Sequence, residues 1–209
     1  MSKRIEAINA TTQGGMTPDT VLASLKAGNE RFLTGTTNGA DQNALISQTS
    51  GGQWPQAAVV SCIDSRVPVE TVMDQYIGDI FVARVAGNFV NPDIVGSLEY
   101  ACKVAGSKLI VVLGHEGCGA VKAACDRVEL GNITQMLAKI TPAVDAVSYD
   151  GERSSASTDF VNQVIDKNVE MTIDELRRTS PILAEMEKNG EIKIVGAVYK
   201  TSSGEIIYM

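Results

Sequence analysis

The sequence predicts an α/β fold: a parallel β-sheet with helices on both faces, a C-terminal antiparallel edge strand and an N-terminal helical arm. From Ala57 onward, short apolar runs rich in β-branched residues alternate with segments of helical periodicity. Strands that alternate with helices are joined by right-handed crossovers, which make the strands parallel. With 44% hydrophobic residues, the chain can bury one sizeable core. We expect a single domain over residues 1–209, with the arm at 1–50 and the α/β core at 57–209.

The N-terminal arm is expected to contain two helices. Thr17 is a suitable N-cap with Pro18 at the first helical position, and apolar residues follow at helical spacing as far as Gly35. A second, short helix is expected over residues 41–49, ended by a pair of glycines. Because this part is poor in apolar residues, we expect it to pack on something outside its own core, with a partner subunit as the candidate.

The core is expected to hold four strands, with helices between them and a hairpin at the end. The strands are predicted at Ala57–Cys62, Ile80–Val85, Leu109–Leu113 and Ile192–Tyr199. The helices are predicted at Val69–Tyr76, Asn91–Ala105, Ala120–Leu130, from Asn132 to a break at Pro142, at Thr158–Arg178, and from Pro181 to Gly190. A turn at Thr201–Gly204 leads to a final edge strand, Glu205–Tyr208.

Composition excludes several classes of function. The formal net charge is −7 and no run of lysine or arginine offsets it, so we expect no nucleic-acid partner. The longest apolar runs are far shorter than the roughly 20 residues of a membrane-spanning helix, so we expect no membrane partner. No apolar segment follows the charged first residues, which favours a cytoplasmic location, or a periplasmic one if a signal has been removed. The four cysteines are then expected to be reduced.

The residues best suited to bind a metal or to take part in catalysis follow two of the predicted strands. Cys62, Asp64 and Arg66 follow the first strand and alternate to one side in an extended chain. His115, the only histidine, and Cys118 follow the third strand and converge if they lie in the first turn of a helix. Since ligands of parallel sheets bind at the carboxyl ends of strands, the two loops are expected to meet. Two thiolates and one imidazole, with a carboxylate within reach, indicate a zinc site.

Each half of this pattern is weak evidence alone, because a buried cysteine is usually a core residue and a lone histidine is usually only hydrogen-bonded. Their occurrence at equivalent ends of two strands strengthens the metal hypothesis. Cys102 and Cys125 lie on apolar helical stretches without companion ligands, and we interpret them as packing residues.

The chain resembles the β-class carbonic anhydrases, in particular their plant-like branch. The resemblance rests on three motifs: Cys62-x-Asp64-Ser65-Arg66, Arg84-x-Ala-Gly87-Asn88 and Gly114-His115-x-x-Cys118-Gly119. It implies Zn²⁺ held by Cys62, His115 and Cys118, with water or the carboxylate of Asp64 in the fourth position. It also implies reversible hydration of carbon dioxide to bicarbonate and a proton by a zinc-bound hydroxide. Arg66 would pair with Asp64 and withdraw that carboxylate from the metal.

Three further positions, Gln53, Phe81 and Tyr100, match the plant-like branch, and the resemblance assigns substrate-binding roles to them and to Gly119. The resemblance implies that Gln53 donates a hydrogen bond to substrate, in its own or in the neighbouring subunit, and that Phe81 and Tyr100 form apolar walls suited to carbon dioxide. The backbone amide of Gly119 is implied to hold a bicarbonate oxygen. The resemblance further implies a homodimer or homotetramer.

Two alternatives stay open at this point. The same scaffold could act on carbon disulfide or carbonyl sulfide, which the catalytic motif does not distinguish from carbon dioxide. Alternatively, the zinc could be purely structural and the protein a binding module, although such a site has no use for Asp64 beside Arg66.

Overall fold

The structure, a computed structural model, describes residues 4–209 and is built on one five-stranded sheet. The strand order is β2-β1-β3-β4-β5, in which β1 to β4 run parallel and β5 runs antiparallel to β4. The strands are β1 (Ala57–Ser61), β2 (Ile80–Arg84), β3 (Leu109–His115), β4 (Lys193–Tyr199) and β5 (Ile206–Tyr208). The predicted fold class is therefore confirmed.

Ten α-helices are described around this sheet within residues 4–209. They are α1 (Ala10–Gly14), α2 (Pro18–Leu33), α3 (Gln42–Thr49), α4 (Val69–Val72), α5 (Pro92–Glu99), α6 (Gly119–Cys125), α7 (Gly131–Leu137), α8 (Thr141–Ala146), α9 (Thr158–Thr179) and α10 (Pro181–Lys188). A π-helical turn, Tyr100–Val104, continues α5. In this part of the chain, no helix combines the length and the apolar character needed to cross a bilayer.

Both faces of the sheet are covered, which explains why its central strands read as unbroken apolar runs. Alternate residues of β1 point to opposite faces: Ala58 and Val60 enter the larger core, whereas Ala57 and Val59 enter the smaller one. The larger core is completed by helices from α5 to α10, and the smaller one by α2 and α4. Every residue of β1 and β3 is buried.

The N-terminal segment packs differently from the prediction. Val21 and Leu25 of α2 are buried in the smaller core of their own chain. The buried amide of Asn29 donates hydrogen bonds to the carbonyls of Val72 and Gly204, at 2.9 Å each. The expectation that this segment packs outside its own core is therefore wrong for α2. Residues 1–3 of the expected arm lie outside the described residues.

Two helices end earlier than predicted because a residue other than glycine adopts a left-handed backbone conformation. The helix expected over Val69–Tyr76 stops after one turn, and Asp74 then has a φ of 49°. The helix expected over Ala120–Leu130 is the seven-residue α6, and Arg127 beyond it has a φ of 53°. Helical hydrogen bonding cannot continue through a residue in that region of backbone space.

Two further differences from the prediction arise at the first turns of helices. Pro142, expected to end a helix, lies instead in the first turn of α8, where its missing amide hydrogen leaves no carbonyl unpaired. The short helix α1 was not predicted; the side chain of Asn9 caps it by accepting hydrogen bonds from the amides of Thr11 and Thr12, at 3.0 Å each.

Candidate metal centre

Three buried side chains meet where β1 and β3 end. Cys62 follows the last residue of β1, His115 is the last residue of β3, and Cys118 lies directly before α6. Because β1 and β3 are adjacent parallel strands with Ser61 opposite Leu113, their carboxyl ends lie side by side. The exposed fraction of Cys62 is 4% and that of the other two is 0%.

A tight turn between the strand and the helix brings His115 and Cys118 together. The prediction that both lie in the first turn of a helix is wrong. His115 still belongs to the strand, and α6 starts only after Cys118. Gly117 between them has a φ of 66°, which reverses the chain tightly enough to return Cys118 towards the histidine. The strand thus positions the imidazole and the turn positions the thiol.

The geometry of the cluster fits one tetrahedral metal ion. The two sulfur atoms are 4.0 Å apart, and the three ligand atoms lie within 4.8 Å of one another. Two sulfurs bound to one zinc at 2.3 Å in tetrahedral geometry are separated by about 3.8 Å. Nε2 of His115 is buried and has no hydrogen-bond partner within residues 4–209. A buried, unpaired imidazole nitrogen beside two thiols is explained by a metal ion between them.

The protein favours a thiolate at Cys62 even without a metal. The pKa of the Cys62 thiol is held below its ordinary value, chiefly because the Cys118 thiol shares a hydrogen bond with it. The backbone amide of Gly87 also donates to the Cys62 sulfur at 3.4 Å. The same thiol pair and burial raise the pKa of Cys118. One proton is therefore shared between the two sulfurs until a cation replaces it.

Asp64 is held next to the cluster by Arg66. Its carboxylate accepts hydrogen bonds from the amide, Nε and Nη2 of Arg66, at 2.9, 3.0 and 2.8 Å. These bonds with Arg66 lower the pKa of Asp64 to about 2. Oδ2 of Asp64 remains 3.8 Å from Nε2 of His115. The carboxylate is thus at the edge of the cluster, bound to arginine, and not one of its three ligand atoms.

Arg84 and Gly87, which the sequence showed only as parts of a motif, support the first ligand loop. The guanidinium of Arg84 donates to the carbonyl oxygens of Cys62 and Asp64, at 2.8 and 2.7 Å. The carbonyl of Gly87 accepts a hydrogen bond from the buried amide of Asn168 at 2.9 Å. Asn168 was missed entirely, although a polar residue inside the apolar stripe of α9 is a signal for such a role.

Of the four expected substrate-binding residues, Gly119 lies beside the metal cluster and the other three lie away from it. Gly119, the first residue of α6, is exposed beside Cys118. Gln53 is also exposed, but it precedes β1, at the end of that strand opposite to Cys62. Phe81 pairs with Ala58, four residues before Cys62, which corresponds to about 13 Å along the strand.

Tyr100 accompanies Phe81, and the two rings meet edge to face with centroids 6.2 Å apart. They line a cavity of about 740 Å³ along β2, which is an edge strand of the sheet, and 51% of Tyr100 is exposed. Within one chain, Gln53, Phe81 and Tyr100 are therefore displaced from the metal cluster along the strands.

The remaining cysteines take no part in the cluster. Cys102 and Cys125 are free thiols buried in the larger core. Burial raises the pKa of Cys102 to about 12 and also raises that of Cys125. Both are neutral packing residues at physiological pH.

Comparison with known proteins identifies the family. The carbonic anhydrase family model matches residues 57–206. Carbonic anhydrase 2 of Mycobacterium tuberculosis is 34% identical over 91% of this chain and 92% of that protein. The β-carbonic anhydrase CafA of Aspergillus fumigatus is 25% identical with a TM-score of 0.69, over 91% of each chain.

A tetrameric β-carbonic anhydrase from Sordaria macrospora shares the fold, with a TM-score of 0.69 at 23% identity over 91% of this chain and 97% of that one. The family match spans both ligand loops, and the sheet that positions them is the one found in these enzymes. The chain therefore belongs to the β-class carbonic anhydrase family.

Proposed function

We propose that the chain binds one Zn²⁺ through Cys62, His115 and Cys118 and catalyses the reversible hydration of carbon dioxide to bicarbonate. The observation that carries the proposal is the buried cluster of two sulfurs and an unpaired imidazole nitrogen within 4.8 Å of one another. Borderline-soft zinc prefers this ligand set, and three protein ligands leave one position free, as catalytic sites require. When bound, zinc lowers the pKa of a coordinated water from about 15.7 towards 7 and so supplies a nucleophile at neutral pH.

Asp64 and Arg66 would orient that nucleophile. Because the carboxylate is bound to Arg66 and has a pKa of about 2, it is an anion and a hydrogen-bond acceptor throughout the neutral range. Its free lone pairs can accept a hydrogen bond from a water molecule in the fourth position and turn the oxygen lone pair towards the substrate. The bonds with Arg66 also keep the carboxylate from occupying that position itself.

A second copy of the chain would complete the substrate pocket. Phe81 and Tyr100 line the cavity along the edge strand β2, and Gln53 precedes β1 at the end of that strand opposite to Cys62. Two chains packed along this edge can bring these residues of one copy to the cluster of the other. The apolar rings would then exclude water around carbon dioxide, while Gln53 and the amide of Gly119 supply hydrogen bonds. A homodimer or homotetramer is the expected assembly, and sedimentation of a fully active monomer would contradict it.

The experiment combines metal content with stopped-flow hydration rates from pH 6.5 to 9. We expect one zinc per chain, rapid hydration of carbon dioxide, and loss of both zinc and activity in Cys118→Ala. Cys125→Ala is the matched control, since it removes a buried thiol at the other end of the same helix. Asp64→Asn should keep the zinc and lose turnover.

Four results would refute the proposal. Wild-type protein without stoichiometric zinc, or Cys118→Ala with full turnover, contradicts the metal centre. Stoichiometric zinc without hydration activity, in wild type and in Asp64→Asn alike, indicates a structural ion. Faster turnover of carbon disulfide or carbonyl sulfide in a direct comparison of rates indicates that carbon dioxide is not the preferred substrate.

A further inference from the structure

Glu116, next to the expected zinc ligand His115, forms hydrogen bonds with the end of β4 and with the hairpin between β4 and β5. Its amide, its carbonyl and its carboxylate all take part. Its amide donates to the carbonyl of Tyr199 at 2.9 Å. Its carboxylate accepts hydrogen bonds from the amide and hydroxyl of Ser202, at 3.1 and 2.7 Å. The hydroxyl of Thr201 lies 3.4 Å from both the carbonyl and the carboxylate. Among the residues of the two ligand loops, Glu116 is the one whose side chain hydrogen-bonds to this hairpin in the described part of the protein.

The carbonyl of Glu116 is in turn the partner of the imidazole. Nδ1 of His115 lies 3.0 Å from this oxygen. A carbonyl oxygen only accepts hydrogen bonds, so Nδ1 must carry the proton and Nε2 must present its lone pair. Nε2 is the buried atom that faces the two sulfurs and has no partner within residues 4–209. The carbonyl therefore selects the tautomer that can bind a metal.

The backbone alone does not hold that carbonyl in place. Gly117 follows with a φ of 66°, and apart from its chain neighbours no atom lies within 4 Å of where its Cβ would stand, so no side-chain contact holds Gly117 there. A glycine in open space can rotate at little cost. The bonds from Ser202 to the Glu116 carboxylate add to the restraint from the amide hydrogen bond with Tyr199, because both hold Glu116, the residue that carries this carbonyl.

We propose that Glu116 is a positioning residue for His115, and that Ser202 of the C-terminal hairpin acts through it to set the affinity of the site for zinc. Glu116 is not itself a ligand, since its carboxylate is directed at Ser202 and not at the cluster. The structure thus links the zinc centre to a turn 86 residues further along the chain. This inference rests on the proposed function, because it requires that the cluster binds zinc.

The experiment measures the zinc dissociation constant by competition with a chelator. Glu116→Ala should weaken zinc binding by about 10- to 100-fold, the usual effect of removing a group that orients a ligand. Glu116→Gln should stay within about threefold of wild type, since its amide oxygen can accept both bonds from Ser202. Ser202→Ala, which keeps one of the two donors, should give an intermediate loss. Ser203→Ala is the matched control on the same hairpin, because within residues 4–209 its hydroxyl forms a hydrogen bond only with the amide of Glu205.

Two further readouts separate positioning from stability. The thermal midpoint of metal-free Glu116→Ala should stay within a few degrees of wild type, whereas its cobalt-substituted form should show altered d–d absorption bands as the imidazole reorients. Equal zinc affinity in wild type and Glu116→Ala overturns this inference and leaves the proposed function standing. Equal weakening in the alanine and glutamine variants, together with a lower midpoint of the metal-free protein, also overturns it. Wild-type protein that binds no zinc refutes the proposed function and this inference together.

Discussion

Replacing Gly87 by alanine tests how the first ligand loop is held. Gly87 has a φ of 85°, and its amide faces the sulfur of Cys62. A Cβ added here would stand 2.3 Å from Cδ1 of Ile140, inside van der Waals contact, and 3.4 Å from the Cβ of Ala120. The substitution therefore forces either the loop or the Ile140 side chain to move.

The magnitude has two parts. A positive φ costs a residue with a Cβ about 1–2 kcal/mol, and the overlap with a fully buried side chain adds about 1–3 kcal/mol. The expected loss in free energy of unfolding for Gly87→Ala is therefore about 2–5 kcal/mol. Ile140→Val removes the clashing Cδ1 and by itself costs about 0.5–1.5 kcal/mol. The double variant should thus be more stable than the sum of the single losses predicts, by at least about 1 kcal/mol.

Urea titrations of the metal-free proteins, all at the same protein concentration, measure these losses in free energy of unfolding. Zinc affinity is the second readout. Gly190→Ala provides the control, since Gly190 has a φ of 73° with open space around it and reports the backbone cost alone. Zinc binding should weaken in Gly87→Ala and recover partly in the double variant. Additivity within about 0.5 kcal/mol would refute the reasoning, because it would show that Cδ1 of Ile140 does not oppose the new methyl group.

Four further predictions follow from the site. Asn168→Ala should lower the free energy of unfolding by about 1–3 kcal/mol by leaving the Gly87 carbonyl unpaired, measured in urea. Removal of zinc should lower the thermal midpoint in calorimetry, since free zinc at 1,000 times its dissociation constant stabilises the fold by about 4 kcal/mol. Asp64, whose pKa is lowered from 3.8 to about 2, should contribute constant stability above pH 4 and lose it as the pH falls through 2; a carboxyl carbon resonance titrating near pH 4 would contradict this. Turnover should rise with buffer concentration, because His115, the only histidine, would bind the proposed zinc and could not carry protons; rates independent of buffer would indicate another proton carrier.

The sequence was sufficient for the sheet and for the two ligand loops. Strands β1 and β3 are buried on both faces, so their residues form unbroken apolar runs that are readable without tertiary information. Cys62 and His115 stand at the ends of these runs, and the parallel arrangement of the strands then brings the ends together. The chemistry of the site follows from residue types and this topology.

Other features depend on contacts that no local pattern encodes. The left-handed conformations of Asp74 and Arg127 end two helices early, and no glycine in the sequence marks either position. Helix α2 packs on its own sheet through Val21 and Leu25, and an apolar stripe in the sequence does not tell whether it covers its own core or a partner. The position of Phe81 relative to the cluster follows from strand register, and the contact of Glu116 with the distant hairpin from a tertiary approach.

The order of strands also has a consequence for the time at which the site can form during synthesis. Strand β3, which ends in His115, lies between β1 and β4, and β4 starts only at Lys193. While the ribosome still encloses the segment from Lys193 to Ser202, one side of β3 has no neighbour and the carboxylate of Glu116 has no partner. We therefore expect the nascent chain to bind the proposed zinc only after the segment through Ser202 has left the ribosome.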